Sequence, residues 1–158
     1  MTELKAALYS VIKAMVGDET LIFAHQNAPR PAQPFWTIMV HSQKRVGTDY
    51  YGQGVSDEGD ETVTGTREAT VALQRVGPNS ESEVDALRDA LSKTSIRDLW
   101  SAYSMACYDA GDVKNIPSVL DNSQWESRAA LDLFIRYSVQ LVDRVGIIDT
   151  INLSRAEE

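Results

Sequence analysis

The longest regular pattern of hydrophobic and polar positions in this sequence lies between Trp125 and Val142. From Ala129 to Leu141 every second residue is apolar, and most of the residues between them are polar. A period of two predicts a β-strand with one buried face and one solvent-facing side. Because a shift of one residue would exchange the two faces, the register should be fixed, and we expect neighbouring strands to assemble on this one. The strand is also longer than usual, which makes it a candidate for sharing between subunits.

Two other segments show strand-like alternation, Phe35–Val46 and Thr62–Arg75. The segment between them, Gly47–Glu61, is rich in glycine and contains the densest cluster of acidic residues, Asp57, Glu58, Asp60 and Glu61. Backbone entropy and like-charge repulsion predict a mobile loop here, or the tip of a long hairpin. A calcium site is disfavoured, because the alternating ligands and the distal glutamate of a calcium loop are missing.

Helical patterns occupy other parts of the chain. Apolar residues at helical spacing follow Thr2 and stop at Gly17, and the pairs Ser80…Glu83 and Ser95…Asp98 resemble capping boxes that open two further helices. Helices inserted between strands predict a single α+β domain, 1–158, whose sheet is covered by helices on one face. The remaining predictions are short strands at Leu21–Ala24 and Cys107–Val113, a loop at Lys114–Gln124, a weakly strand-like Arg144–Ile151 and a frayed tail at 152–158.

The segment His25–Trp36 contains three of the five prolines. Proline fixes its own φ and pushes the preceding residue toward extended conformations, so the segment is predicted to be a stiff connector. An alternative is that it is a recognition segment for an aromatic groove on another protein.

Composition and charge narrow the classes of function. The chain has 158 residues, a formal net charge of −8 and a pI near 4.7, which argue against wrapping nucleic acid. One cysteine, Cys107, excludes an intrachain disulfide. We expect no secretory signal, because the first segment is amphipathic and lacks a signal-type apolar core. We expect no membrane span, because no apolar run approaches about 20 residues.

The sequence offers little chemistry. Phosphate-binding loops, dinucleotide fingerprints, zinc spacings and nucleophile elbows are missing. His25 and His41 lack an evident partner, and Cys107 has no nearby cation to activate it. We therefore predict no enzyme, no catalytic or metal site and no cofactor.

Three segments, in order, carry a resemblance to a known family: Gln26–Pro34, Gly65–Gln74 and Asp112–Tyr137. With the helices and strands between them, they resemble the bacteriophage neck proteins called tail terminators or gateway proteins. The resemblance extends over nearly the whole chain. It implies a mixed, mainly antiparallel sheet flanked by helices, with a long hairpin or loop that reaches toward neighbouring subunits.

The resemblance also implies a function and partners. Members form a six-fold ring that caps the finished tail tube, which is built of tail tube protein, and joins the head connector or collar protein. DNA passes through the ring without specific binding. The protein would be made in the host cytoplasm and reside in the virion, with no membrane association.

Candidate residues follow from these expectations. Tyr50, Tyr51 and Trp125 are candidate apolar anchors between subunits, and Arg128 is a fourth candidate contact; Trp125 could equally lie in the core of its own subunit. Asp57, Glu58, Asp60 and Glu61 are candidates for the channel lining, where acids would repel DNA, or could face outer solvent. Alternative functions are another neck component, such as a head- or tail-completion protein, a small non-viral protein-binding module, or an enzyme with a site assembled from dispersed residues.

Overall fold

The computed structural model describes residues 2–52, 54–119 and 124–146. Three helices and eight strands occupy these residues. The helices are α1 (Thr2–Val16), α2 (Ser80–Ala90) and α3 (Thr94–Ser101). The strands are β1 (Thr20–Phe23), β2 (Phe35–Tyr51), β3 (Asp60–Val76), β4 (Met105–Ala110), β5 (Lys114–Asn115), β6 (Ser118–Val119), β7 (Trp125–Glu126) and β8 (Arg128–Arg144).

The main sheet has the strand order β1-β2-β3-β8-β4, and β5 also pairs with β8. All of its pairs are antiparallel except β1 with β2, which run parallel. The strands β6 and β7 form a separate small antiparallel pair. The predicted α+β class with a mixed, mainly antiparallel sheet is confirmed.

The core lies between the three helices and one face of the main sheet. Alternate residues of each strand point toward the helices, because successive side chains of a strand point to opposite faces. The most deeply buried members are Leu8, Val11 and Ile12 of α1, Val84 of α2, Trp100 of α3, Ile38 of β2, Val71 and Leu73 of β3, and Leu131, Leu133 and Ile135 of β8. Each such side chain contributes roughly 1.5–3 kcal/mol through burial.

An ion pair between buried Arg75 and half-buried Glu19 closes one end of this core. Arg75 donates hydrogen bonds to Glu19 Oε2 at 2.9 Å and to Glu19 Oε1 at 2.6 Å, and the Trp36 indole donates to Glu19 Oε2 at 2.6 Å. The hydrogen bond from Arg75 is the largest cause that lowers the pKa of Glu19 below its ordinary value. The polar ends of Arg75 and Trp36 are thereby satisfied where they leave the apolar core.

The strand β8 serves as the predicted template, since β3 pairs with it from Val76↔Arg128 to Asp60↔Arg144. Its predicted start at Trp125 is wrong. Trp125 and Glu126 pair with β6, and at Ser127 the chain leaves that pair, where the Ser127 carbonyl accepts from Gly77 N–H at 2.9 Å. Its end extends to Arg144, and the rest of the strand-like segment predicted to Ile151, together with the predicted tail at 152–158, lies outside the described residues beyond 146.

The predicted hairpin is present, but its loop is narrower than the predicted Gly47–Glu61. Strand β2 continues to Tyr51 and β3 begins at Asp60, so fewer positions separate the two strands than predicted. Hydrogen bonding across the sheet thus persists through glycine and acidic residues that favour a loop when the sequence is taken locally.

Helix caps and short strands differ from the predictions in other places. Asn79 in a left-handed conformation and Lys93 precede α2 and α3, and neither makes a side-chain capping hydrogen bond. Ser80 instead donates to the Gly77 carbonyl at 2.6 Å. The strand predicted at Cys107–Val113 runs from Met105 to Ala110, and the loop predicted at Lys114–Gln124 contains the short strands β5 and β6.

Candidate assembly interface

The three longest strands continue past the core as a projecting sheet, which we name the arm. It consists of residues 42–52, 54–68 and 136–144, the outer parts of β2, β3 and β8 with the described residues between β2 and β3. The last core side chains before the arm are Ala69 and Ile135, and from there outward most side chains of β2 and β8 are exposed. At about 3.3 Å per residue the arm is roughly 30 Å long.

At the base of the arm, charge pairs replace apolar packing on the sheet face that carries no helix. Lys44, Glu68 and Arg136 stand opposite one another on β2, β3 and β8. Glu68 lies 2.9 Å from Lys44 Nζ and 2.5 Å from an Arg136 nitrogen. The hydrogen bond from Arg136, followed by that from Lys44, lowers the pKa of Glu68 below its ordinary value. A row of alternating charges of this kind fixes the three strands side by side.

The opposite face of the arm has a second ion cluster. Arg45 and Arg67 stand opposite each other on β2 and β3, an arrangement that would be repulsive without a counter-ion. Asp49 supplies that charge, at 2.7 Å from Arg45 and 2.8 Å from Arg67. The Arg67 hydrogen bond is the main cause of the lowered pKa of Asp49. Gly65 makes room for the cluster, since a Cβ atom there would lie 2.2 Å from an Asp49 oxygen.

The tip of the arm is held by the end of β8 against the turn. The Gly59 carbonyl accepts hydrogen bonds from Val145 N–H and Gly146 N–H, each at 3.0 Å. Gly59 has φ +84°, and a Cβ atom there would lie 2.8 Å from Gly146 Cα. Only glycine fits this position without strain, because other residues disfavour positive φ. At the tip, the turn between β2 and β3 is therefore in direct contact with the end of β8.

The proline segment is attached to the sheet through one buried carboxylate, Glu126. It accepts hydrogen bonds from Gln33 Nε2 and Arg128 Nε at 2.5 Å each and from Ser118 Oγ at 3.2 Å, and it pairs with Arg30. Arg30 also lies 5.4 Å from the Phe35 ring centroid. Because Glu126 is only 3% exposed, its partners provide the charge balance that burial requires. We name these residues the Glu126 cluster.

The structure separates the predicted contact residues. Tyr50 and Tyr51 lie near the arm tip and are 60% and 61% exposed. Trp125 and Arg128 lie at the opposite end of the long strands, at the Glu126 cluster. Trp125 is 74% exposed, so its alternative place in the core is wrong. Arg128 binds Glu126 within its own chain.

The four predicted acidic residues do lie together, at or beside the turn of the arm. Asp57 and Glu58 are exposed within the turn, and Asp60 and Glu61 are the half-buried first residues of β3. Asp60 lies 3.9 Å from Arg144 of β8, a loose surface pair. The arm tip is thus both acidic and aromatic.

Chemical groups elsewhere in the described residues are dispersed. His25 and His41 are both exposed and belong to different segments, and burial raises the pKa of the Cys107 thiol to about 11. Such a thiol is protonated and weakly reactive near neutral pH. Within residues 2–52, 54–119 and 124–146, His, Cys, Asp and Glu side chains form no group of three suited to a metal ion. Nor does any helix in this range have the length and apolarity to cross a membrane.

Several important residues were missed at the level of sequence, namely Glu126, Asp49, Glu68 and Arg136. One signal was available for Glu68 and Arg136, because each is a charged residue at a polar position of an alternating strand segment. No sequence signal identifies Glu126 as buried, since the partners that permit its burial are up to 93 positions away along the chain.

The sheet, its projecting arm and its cross-strand ion pairs form an α+β fold that presents exposed strand edges and side chains for contact. The family model for the phage neck terminator protein matches residues 3–157, and the chain belongs to this family. The three segments that carried the resemblance meet in the fold, since Arg30 and Gln33 reach Glu126, and Glu68 reaches Arg136. The family is structural and belongs to the virion, where it associates with other head or tail proteins. No curated protein matches the chain.

Proposed function

We propose that this protein forms a ring that ends the tail tube, joins the tube to the head connector and leaves a channel for DNA. The family supports a role in the neck. Beyond that role, we propose a ring of six copies that acts as a gateway. Its proposed partners are the tail tube protein and the head connector or collar protein. Synthesis in the host cytoplasm precedes incorporation into the virion.

The observation that carries this proposal is the arm. A sheet that projects from its own helices exposes unpaired strand edges, which proteins normally cover or blunt. Large apolar side chains are exposed on the same projection, including Tyr50, Tyr51, Leu141 and Val142. A contact between different surfaces of identical subunits closes into a ring when the rotation between neighbours permits. Ring formation would cover both the edges and the apolar side chains.

Two regions are proposed as contacts, one between subunits of the ring and one with another neck or tail protein. Tyr50 and Tyr51 on the arm supply apolar area to neighbouring subunits, in keeping with the enrichment of tyrosine at interfaces. Trp125 lies far from them and is an exposed anchor of the kind that dominates binding energy. We assign Trp125 to contact with the tail tube or the connector, with Arg128 as a supporting residue that holds Glu126 in place.

The acidic arm tip is proposed to line the channel. Asp57, Glu58, Asp60 and Glu61 would present negative charge toward passing DNA, whose phosphates they repel. This arrangement allows passage without specific binding. It requires that the arms stand around the opening, parallel to the ring axis, with their acidic tips facing the channel.

Sedimentation velocity and negative-stain images of the purified protein, alone and mixed with isolated tail tubes, test the proposal. We expect a closed oligomer with a central opening, bound at one end of the tubes. The matched comparison is Trp125→Ser against Val119→Ser, which removes another exposed apolar side chain from the same small sheet. Trp125→Ser should still form rings yet bind tubes or connectors less well.

Two results would contradict the proposal. A protein that stays monomeric at every concentration and in the presence of tubes has no ring. A ring reconstruction with Asp57 and Glu58 on the outer rim would remove the channel lining but leave the ring.

A further inference from the structure

The outer edge of β8 is open along the arm. Strand β4 pairs with β8 only from Ala110↔Leu133 to Met105↔Tyr137, and the last hydrogen bond on that side joins Ser138 N–H to the Ser104 carbonyl at 3.3 Å. Within the described residues, no strand pairs with this edge from Val139 to Arg144. The edge is also regular, because the β3–β8 register has no bulge.

The direction of the backbone groups along this edge follows from the hydrogen bonds nearer the core. The Asp132 carbonyl accepts from Gly111 N–H at 2.8 Å on the same side of β8 as β4. Main-chain groups alternate sides along a strand, so even-numbered residues of β8 point outward. The N–H and C=O groups of Gln140 and Val142 therefore face the open edge.

The second open edge of the arm belongs to β2. Strand β1 covers β2 only from Phe35 to Ile38, so the outer side of β2 is open from Met39 to Tyr51 in the described residues. Bulges interrupt it between Val40 and Ser42 and between Val46 and Tyr50. Bulges and charged residues discourage indiscriminate pairing of an edge, so the bulged β2 edge differs from the regular β8 edge.

The two edges carry exposed apolar side chains at the same distance along the arm, which we call the same height. Tyr51 of β2 stands in one row with Val63 of β3 and Leu141 of β8, and Val142 occupies the adjoining row. Tyr51 is 61% exposed, whereas Leu141 and Val142 are 53% and 70% exposed. Rotation about an axis parallel to the arm preserves height, so this row of one subunit would meet the same row of the next.

We propose that the β8 edge of one subunit lies against the β2 edge of its neighbour, with Leu141 and Val142 packed on Tyr50 and Tyr51. This inference rests on the proposed ring and specifies which two surfaces close it. Both strands are antiparallel to β3, so they run in the same direction, and equally oriented neighbours place them side by side as a parallel pair. The contact joins two different surfaces, as a ring requires.

Two double variants test the pairing, each removing one side of the contact. Tyr50→Ser with Tyr51→Ser removes the β2 side, and Leu141→Ser with Val142→Ser removes the β8 side. Each variant alone should be monomeric by sedimentation velocity at concentrations where the wild type assembles. Mixed in equal amounts, they should form a heterodimer and no ring, because one intact pair of edges remains.

The control variant is Val55→Ser, which removes an exposed apolar side chain of the arm turn from neither edge. It should assemble like the wild type, and circular dichroism should show that all variants are folded. Should a double variant fail to fold, the single substitutions Tyr51→Ser and Leu141→Ser replace it in the same comparison.

A second readout places the two edges directly. In a Cys107→Ala background, Tyr51→Cys with Leu141→Cys should give a ladder of disulfide-linked species on oxidation. Tyr51→Cys alone should give far less crosslinking.

The outcomes separate this inference from the proposed function. If the wild type forms rings and the double variants form them equally well, the edge pairing is wrong and the ring stands. If the β2-side variant alone still dimerises, the contact joins two β8 edges and the inference is overturned. If the wild type is monomeric with and without tail tubes, both the ring and the pairing fail.

Discussion

The two halves of β8 have similar alternation in sequence and opposite surroundings in the fold. In the core half, Leu131, Leu133 and Ile135 are fully buried beneath the helices. In the arm half, Leu141 occupies the same face and is mostly exposed. Alternation therefore identifies a strand and its two faces, but it does not identify what covers them. An apolar face that its own chain leaves open is available to a partner.

The largest expected effect is the loss of a core side chain from β8. Leu133→Ala should lower the free energy of unfolding by about 2–5 kcal/mol, because it leaves a cavity under the helices. Leu141→Ala, its counterpart in the arm, should change the stability of the monomer by less than about 1 kcal/mol. Urea unfolding of the two variants measures the difference. Equal losses would show that the arm is packed as tightly as the core.

The next largest effect concerns the Glu126 cluster. Glu126→Ala leaves Gln33, Arg30 and Arg128 without their shared acceptor and should cost about 2–3 kcal/mol, less than a fully buried pair because both arginines reach solvent. The melting temperature should fall by about 5–10 °C. Glu58→Ala, an exposed acid in the arm turn, serves as the control and should leave the melting temperature nearly unchanged. If both variants lower the melting temperature by a similar, small amount, Glu126 does not stabilise the fold as proposed.

A smaller effect is expected at the junction of the arm tip. Gly59→Ala and Gly54→Ala both place a side chain at positive φ, which costs about 1–2 kcal/mol. Only Gly59→Ala also meets the backbone of Gly146, whereas a Cβ atom at Gly54 would meet nothing within 4 Å. Hydrogen exchange of Val145 and Gly146 should therefore accelerate in Gly59→Ala and remain slow in Gly54→Ala. Equal exchange would indicate that the end of β8 is not held by the turn.

The smallest effect is a loss of arm order in acid. The pKa of Glu68 is lowered by Arg136 and Lys44, so its ion pairs stabilise the fold above the pKa of an unfolded glutamate, about 4.3. This contribution is lost as pH falls through the lowered native pKa of Glu68. Hydrogen exchange, corrected for its intrinsic rate, should show residues 42–46 and 64–68 better protected in the wild type than in Glu68→Gln near neutral pH. The difference should shrink as pH falls through the lowered pKa of Glu68. Equal protection of the two proteins near neutral pH would contradict the role of this ion pair.

Much of the fold followed from the sequence because its signals are local. The period of β8, the helical spacing of α1 and the alternation on either side of the acidic segment each predicted the right type of element. Boundaries were less accurate, as at Gly47–Glu61, because pairing of β3 with β8 and of β2 with β3 extends both strands through residues that favour a loop.

The candidate interface was harder to predict because it depends on contacts between distant segments. Tyr50 and Tyr51 proved to be exposed near the arm tip, but their match in height with Leu141 exists only through the registers of two strand pairs. Glu126 looked like one acid among many, and its burial is decided by Arg30, Gln33 and Arg128. The two capping boxes failed for the opposite reason. The local motifs are present in the sequence, but Asn79 and Lys93 precede α2 and α3, and neither makes a side-chain capping hydrogen bond.

A cryo-electron microscopy reconstruction of the assembled protein on tail tubes would locate every arm. We expect a closed ring in which the arms stand side by side around the opening, with Leu141 of each subunit against Tyr51 of the next. Arms that point away from one another into solvent, with the subunits joined through their helices, would contradict it.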